Sequence, residues 1–143
     1  MDLCTIGYEG VTQAEVIARL QAARVETLVD VRAIAASRRA GFSKTLLRES
    51  LAEAGIDYLH LRGLGTPKAG REAARKGRIA QMHDIFNAHM AEPAAVVDFA
   101  TLGDLAVRSR VALLCFEAQA CGCHRLVLAD RLRLERGVDV KHL

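Results

Sequence analysis

Val111-Ala112-Leu113-Leu114-Cys115-Phe116-Glu117 is the stretch that decides the fold. Val111 to Phe116 is an unbroken apolar run that ends on a carboxylate. Such a run is the signature of a strand covered on both faces, which belongs in a parallel sheet between two layers of helices. The flanking segments agree. Upstream, Pro93 suits the first turn of a helix in which Val96, Val97, Phe99, Ala100 and Leu105 supply an apolar side. Downstream, Cys123 to Arg136 has helical spacing through Leu126, Val127, Ala129, Leu132 and Leu134, and Val138 to Leu143 alternates as a closing strand.

The N-terminal half repeats this alternation. Leu3 to Gly7 is a short apolar strand. Thr12-Gln13-Ala14-Glu15 has the form of a capping box, and Val16, Ile17, Leu20 and Ala23 follow at helical spacing. Val25 to Val31 reads as a second strand. Ser43 is placed to cap a helix lined by Leu46, Leu47, Leu51 and Ala54, and Ile56 to Leu61 reads as a third strand. Gly63-Leu64-Gly65-Thr66-Pro67 belongs to no regular element. A basic, glycine-interrupted helical region then runs from about Ala69 to Met90. Strands alternating with helices predict an α/β fold, a three-layer α/β/α Rossmann-like domain over residues 1–143. Its sheet should be mainly parallel, of about five strands with right-handed crossovers. The expected order is 3-2-1-4-5, with strands one and four meeting at the centre.

Composition bounds the class. A hydrophobic content of 51% and a charged content of 26% are those of an ordinary globule, which excludes a disordered chain. No apolar run approaches the length of a membrane span, and Asp2 stands where a secretory leader is basic. A cytoplasmic protein with no membrane partner is expected, and its cysteines are then thiols, ligands or nucleophiles rather than disulfides. The net charge is +3, unevenly spread. Between Arg32 and Arg78, eleven Lys or Arg face Glu49, Glu53, Asp57 and Glu72, a local balance of +7. Such a segment is either a basic face for phosphates and nucleic acid or a solvated surface spread over several helices.

Ligands of open α/β sheets bind beyond the carboxyl ends of the strands. The residues leaving the strands there are Tyr8, Asp30 with Arg32, His60, Cys115 with Glu117, and His142. Strand alternation puts Cys115 and Glu117 on one side and Phe116 on the other. Cys123, His124 and Arg125 stand where a helix begins, so free N–H groups and the positive dipole end favour an anion or a thiolate there. Arg125 adds a fork suited to phosphate or carboxylate. If Glu117 is buried it needs partners, and Arg32 and Arg125 are the candidates. Asp30 and Arg32 suit either substrate contact or a structural ion pair.

Two chemistries could use these residues. Cys115 or Cys123 is a nucleophile, with His124 as proton shuttle and Glu117 as general acid or base. Alternatively, Cys115, Cys121, Cys123 and His124 are soft ligands for zinc, although Cys-x5-Cys-x-Cys-His matches no common zinc spacing. No cofactor is required by the pattern.

Several segments together resemble the DUF488 family. They are Thr5-Ile6-Gly7-Tyr8-Glu9-Gly10, Asp30-Val31-Arg32 with Ser37-Arg38, Gly41-Phe42-Ser43-Lys44, Gly55 to Leu61, Leu64-Gly65-Thr66-Pro67, and Leu114-Cys115-Phe116-Glu117 with Cys123-His124-Arg125. The resemblance implies a small α/β domain with a shared polar site and names no reaction. The chain departs from the family pattern at Ala35 and Ala40, where proline is usual, and these changes loosen the Arg32–Lys44 loop. Cys121 is an addition beside the motif.

The expected function is therefore an enzyme acting on a phosphate-bearing or nucleotide-like anion. Cys115, Glu117, Cys123 and His124 would form the chemical centre, with Arg125 handling charge. Tyr8, Asp30, Arg32, Arg38 and His60 would bind substrate, and the Arg38-Arg39-Lys44 loop would cover it. The alternatives are a nucleic-acid-binding or regulatory module using the basic 32–78 region, and a structural Cys/His metal site. The oligomeric state is left open, a homodimer included.

Overall fold

The computed structural model describes residues 2–119 and 123–143. Five strands form one sheet: β1 (Asp2–Gly7), β2 (Thr27–Asp30), β3 (Asp57–His60), β4 (Val111–Cys115) and β5 (Asp139–His142). Every pairing is parallel and the order is β3-β2-β4-β1-β5. The expected architecture is present, and β1 and β4 are neighbours, but they stand in exchanged places. β4 occupies the centre, between β2 and β1. Its five residues are all buried, so the centre, where both faces and both edges are covered, is where this run costs least. β1 carries Thr5, whose buried hydroxyl finds its partner in His142 on the edge strand β5. The two edges, β3 and β5, carry Asp57, His60, Asp139 and Lys141, charged or polar side chains suited to strands that face solvent on one side.

Helices cover both faces. On one side α1 (Gln13–Ala22) and α2 (Lys44–Glu53) lay Val16, Leu20, Leu47 and Leu51 against Cys4, Ile6, Leu28, Ala112 and Leu114. On the other, α4 (Ile79–His89), α5 (Pro93–Ala106) and α6 (Arg125–Arg136) lay Phe86, Leu102, Leu128 and Leu132 against Leu3, Val29, Val111 and Leu113. Each of these leucines is worth roughly 1.5–3 kcal/mol of burial. The helical region after Pro67 is split into α3 (Lys68–Arg75) and α4, with Gly77 in the left-handed conformation (φ +74°) making the break. Arg62–Leu64 closes into a 3-10 turn within the stretch expected to be irregular, and it buries Leu64 completely. No helix among the described residues is long and apolar enough to cross a membrane.

Thr12 caps α1 as expected, accepting from the Glu15 N–H at 3.2 Å. Ser43 precedes α2 but its hydroxyl makes no cap. It turns back to Ser37, accepting from its N–H and donating to its carbonyl, both at 3.2 Å. The Arg32–Lys44 loop thus gets from hydrogen bonds the restraint that its alanines do not give. Lys44 N–H donates to Ala35 O at 2.8 Å, and Gln13 Nε2 donates to Gly41 O at 2.6 Å.

One contact fixes how the chain leaves the sheet centre. Gly7 pairs with Cys115 in register, and a Cβ on Gly7 would lie 1.8 Å from the Glu117 carbonyl oxygen. The obstacle is main chain held on both sides, so it cannot yield cheaply. Gly7→Ala should therefore destabilise the fold by about 3 kcal/mol or more in urea unfolding. A loss under 1 kcal/mol would show that the 115–119 turn is free to slide.

Candidate active site

The carboxyl ends of β1, β2 and β4 meet at one rim, and three kinds of bond hold it. Tyr8 and Glu9 N–H groups both donate to Phe116 O, at 3.1 and 2.8 Å. The Ala118 N–H donates to the Glu9 carboxylate at 3.1 Å. Arg125, only 1% exposed, reaches back from the first turn of α6 and donates to the Glu117 and Ala118 carbonyls. The guanidinium expected to grip a substrate anion instead grips the main chain of the strand exit. Its role is architectural.

That anchoring puts Cys115, at the end of β4, opposite Cys123 and His124 at the entry of α6. His124 Nδ1 lies 3.7 Å from Cys115 Sγ and 3.6 Å from Cys123 Sγ. His124 Nε2 is 2.7 Å from the Val31 carbonyl. A carbonyl only accepts, so Nε2 carries a proton, and Nδ1 faces both sulfurs. The three donor atoms all lie within 4.8 Å of one another, and all three residues are buried. This is a group that could hold a metal ion. Cys121, the other proposed ligand, lies outside the described residues.

The electrostatics of the cluster are asymmetric. Burial opposes ionisation of Cys123, but the hydrogen bond from Cys115 and the facing His124 outweigh it and hold its thiol well below the ordinary range. Cys115 is pushed well above that range by its hydrogen bond to Cys123 and by burial. His124 is raised by the Cys123 sulfur against the effect of its own burial. Glu117 is raised to about 7, by burial first and then by Cys123. Its Oε2 is buried without a hydrogen-bond partner among the described residues, so neither Arg32 nor Arg125 supplies the expected counter-charge.

Above the cluster opens a cavity of about 340 Å³ with mostly apolar walls. Cys115, Cys123, His124 and Glu117 line it together with Tyr8 and Arg32. Tyr8 stacks on Phe42 with centroids 4.4 Å apart and meets Phe116 edge-on. The loop contributes Ala33, Ile34 and Ala36, and α3 contributes Gly70, Arg71, Ala74 and Arg75. A Cβ on Gly65 would lie 2.2 Å from Ala33 Cα, so only glycine there lets the 62–66 turn close against this loop.

The remaining expected residues are not on the cavity. Asp30, fully buried, chelates Arg32 through Nε (2.9 Å) and Nη2 (2.7 Å). Arg32 Nη1 donates to Phe42 O at 2.7 Å and to the Tyr8 hydroxyl at 3.2 Å. Four of its five N–H groups are thus engaged within the protein, which makes the pair chiefly structural. His60 Nε2 is 2.7 Å from Arg32 O and supports the loop from behind. Arg38 is exposed and outside the cavity lining. His142 bonds Thr5, two residues short of the rim.

Three contributors were not singled out from the sequence. Tyr58 donates to Asp30 and completes its ring of partners. Arg71 and Arg75 stand one turn apart on α3, beside Gly70 and Ala74, also one turn apart. That doubled spacing puts two cations and two small residues on adjoining stripes of one helix, and it is the signal in the sequence that points to them. Neither arginine forms an ion pair among the described residues. Arg71 Nη1 donates to Thr66 O at 2.7 Å, and Arg75 is exposed.

A family model described as "Domain of unknown function DUF488" matches residues 12–132. No curated protein and no solved structure matches the chain.

Removing one partner of a buried pair leaves the other charge uncompensated. Arg32→Met should therefore cost about 3–5 kcal/mol of stability, read by denaturant unfolding. A variant of wild-type stability would reassign Arg32 from support to substrate contact.

Proposed function

The chain belongs to the DUF488 family, and from that premise we propose that it is an enzyme acting on a small phosphate-bearing or nucleotide-like anion. The observation that carries the reading is one cavity with Cys115, Cys123, His124 and Glu117 at its floor and Arg71 and Arg75 on its wall. Packing alone does not favour this set. A core would not bury a carboxylate oxygen that has no partner among the described residues, and two cavity-lining arginines that form no ion pair among those residues are suited to an incoming anion.

The cavity suits a ligand with an apolar or aromatic body and an anionic end. Phe116, backed edge-on by Tyr8, offers an exposed ring on the rim where β4 ends, while Arg71 and Arg75 supply N–H donors for phosphate. The floor groups supply the reacting chemistry, a sulfur-imidazole centre with a carboxylate beside it. The same donor set of two sulfurs and an imidazole suits zinc, the cofactor this reading admits. We place the activity in the cytoplasm, since thiols this close persist in a reducing compartment.

Charge-assisted hydrogen bonds are worth about 1.5–3 kcal/mol each. The double variant Arg71→Met/Arg75→Met should therefore weaken binding of inorganic phosphate and of a nucleoside monophosphate roughly ten-fold or more, measured by calorimetric titration. Turnover found in a panel of phosphate esters and nucleotides should vanish in Cys115→Ser and in Glu117→Gln, with folding intact by circular dichroism. Equal phosphate affinity in wild type and double variant, or turnover retained by both single variants, would sink the proposal.

A further inference from the structure

We infer that Cys115, Cys123 and His124 form an open, three-ligand zinc centre whose fourth coordination position faces the cavity, with Glu117 beside it as the base for a bound water. The inference rests on reading the cavity as an active site, and it replaces a structural, four-ligand role for the cluster.

The distances carry it first. With Zn–S about 2.3 Å and Zn–N about 2.0–2.1 Å, two ligands at a tetrahedral angle stand about 3.6 Å apart. The His124 Nδ1 atom lies 3.7 and 3.6 Å from the two sulfurs. Both values match that spacing, and the three donor atoms all lie within 4.8 Å of one another, so one ion placed between them can reach all three. The ring is also set for this. Val31 takes the Nε2 proton at 2.7 Å, the kind of outer contact that fixes the tautomer of a metal-binding histidine.

The ligands are held on rigid supports. Cys115 ends the central strand, Cys123 and His124 lead into α6, and the Arg125 bonds to Glu117 and Ala118 tie these two elements together. Phe86 packs edge-on to the His124 ring from α4, with centroids 5.0 Å apart. The three ligands are thus carried by elements that are tied to one another.

Openness follows from what the three residues face. Each of them lines the cavity, so the side of the cluster away from the sheet is space large enough for water and substrate. Three protein ligands and a position left for water or substrate is the pattern of catalytic rather than structural zinc. Glu117 also lines the cavity, two residues beyond Cys115, and its buried Oε2 has no partner among the described residues. A water in the open position would give that oxygen one.

The reaction class is hydrolysis of the anion held by Arg71 and Arg75. Glu117 takes one proton from the zinc-bound water. The water oxygen bonds to the electrophilic phosphorus or carbon, the bond to the leaving group breaks, and Glu117 returns the proton to that group. One water is consumed and nothing is oxidised.

The test uses the full chain, purified without chelator or histidine tag. Elemental analysis should find stoichiometric zinc, lost in Cys115→Ser and Cys123→Ser and kept in Cys121→Ser and Glu117→Gln. Exchange for Co²⁺ should give a thiolate-to-metal absorption band and tetrahedral d–d bands in wild type, a readout that does not depend on a variant folding. Added azide should shift those d–d bands by entering the fourth position. Absence of metal with both thiols free, or a Cys115–Cys123 disulfide in its place, overturns the centre. Zinc lost in Cys121→Ser or Glu117→Gln, or a Co²⁺ spectrum indifferent to azide, overturns the open site. Arg71-dependent phosphate binding is measured on the same samples, so a missing metal and a missing anion site are told apart.

Discussion

The rim of this sheet depends on Arg125. Its guanidinium is buried deeper than almost any other charged group in the protein, and it spends two of its nitrogens on the Glu117 and Ala118 carbonyls. Those carbonyls belong to a chain that has just left the central strand and has no further strand to pair with, so their acceptors need a donor. A positive charge from a neighbouring helix supplies it. The bond therefore joins the exit of β4 to the entry of α6, and Cys115, Cys123 and His124 stand on the two sides of that joint. Gly7 makes the arrangement possible from the other side, because the Glu117 carbonyl sits where a β-carbon would be.

A second buried arginine plays a parallel role on β2. Asp30, Arg32, Tyr8, Tyr58 and His60 form a polar ring in which nearly every donor and acceptor is used. Burying such a pair is not a source of net stability, but breaking it is expensive, so it acts as a constraint on geometry. The result is a division of labour. The arginines inside the protein shape the cavity, while those on α3, near its mouth, are left for a ligand. The +7 segment is thus not one surface: Arg32 is buried, Arg48 lies over the Tyr58 ring, and Arg71 and Arg75 line the cavity.

Much of the fold was legible because it rests on short-range patterns. The apolar run at Val111, the alternation of strands with helices and the Thr12 cap are local facts that the tertiary structure kept. Strand order was less so. β1 and β4 are both apolar and both parallel, and the unbroken burial of the β4 run is only a small difference between them. The order depended on where Thr5 could find His142, a pairing across most of the chain. Ser43 shows the same limit on a smaller scale, since its hydroxyl had two local uses and the loop took the one that capping rules do not weigh. At the site, Cys115, Glu117, Cys123 and His124 were legible from the strand end and the helix start, but alternation was not a guide there: β4 stops at Cys115, and Phe116, expected on the other side, lines the same cavity. Arg71 and Arg75 were less so, because their spacing with Gly70 and Ala74 marks one side of α3 without announcing that this side meets a cavity, and the main-chain partners of Arg32 and Arg125 were not, because carbonyls leave no mark in a sequence.

The exchanged places of β1 and β4 have a consequence for how the chain is made. β1 bonds only to β4 and β5, so the first strand synthesised has no partner until residues beyond 110 have emerged. At ordinary rates of synthesis that interval is roughly 5–20 s. During it, β2 and β3 can pair with each other, while Leu3, Cys4 and Ile6 remain an unpaired apolar segment. Closure then waits on contacts of very high sequence separation, the kind that slow folding most. The sheet is thus assembled from one edge, and its centre closes late. Its first strand is the segment most exposed to chaperones, or to aggregation, before the centre of the sheet exists.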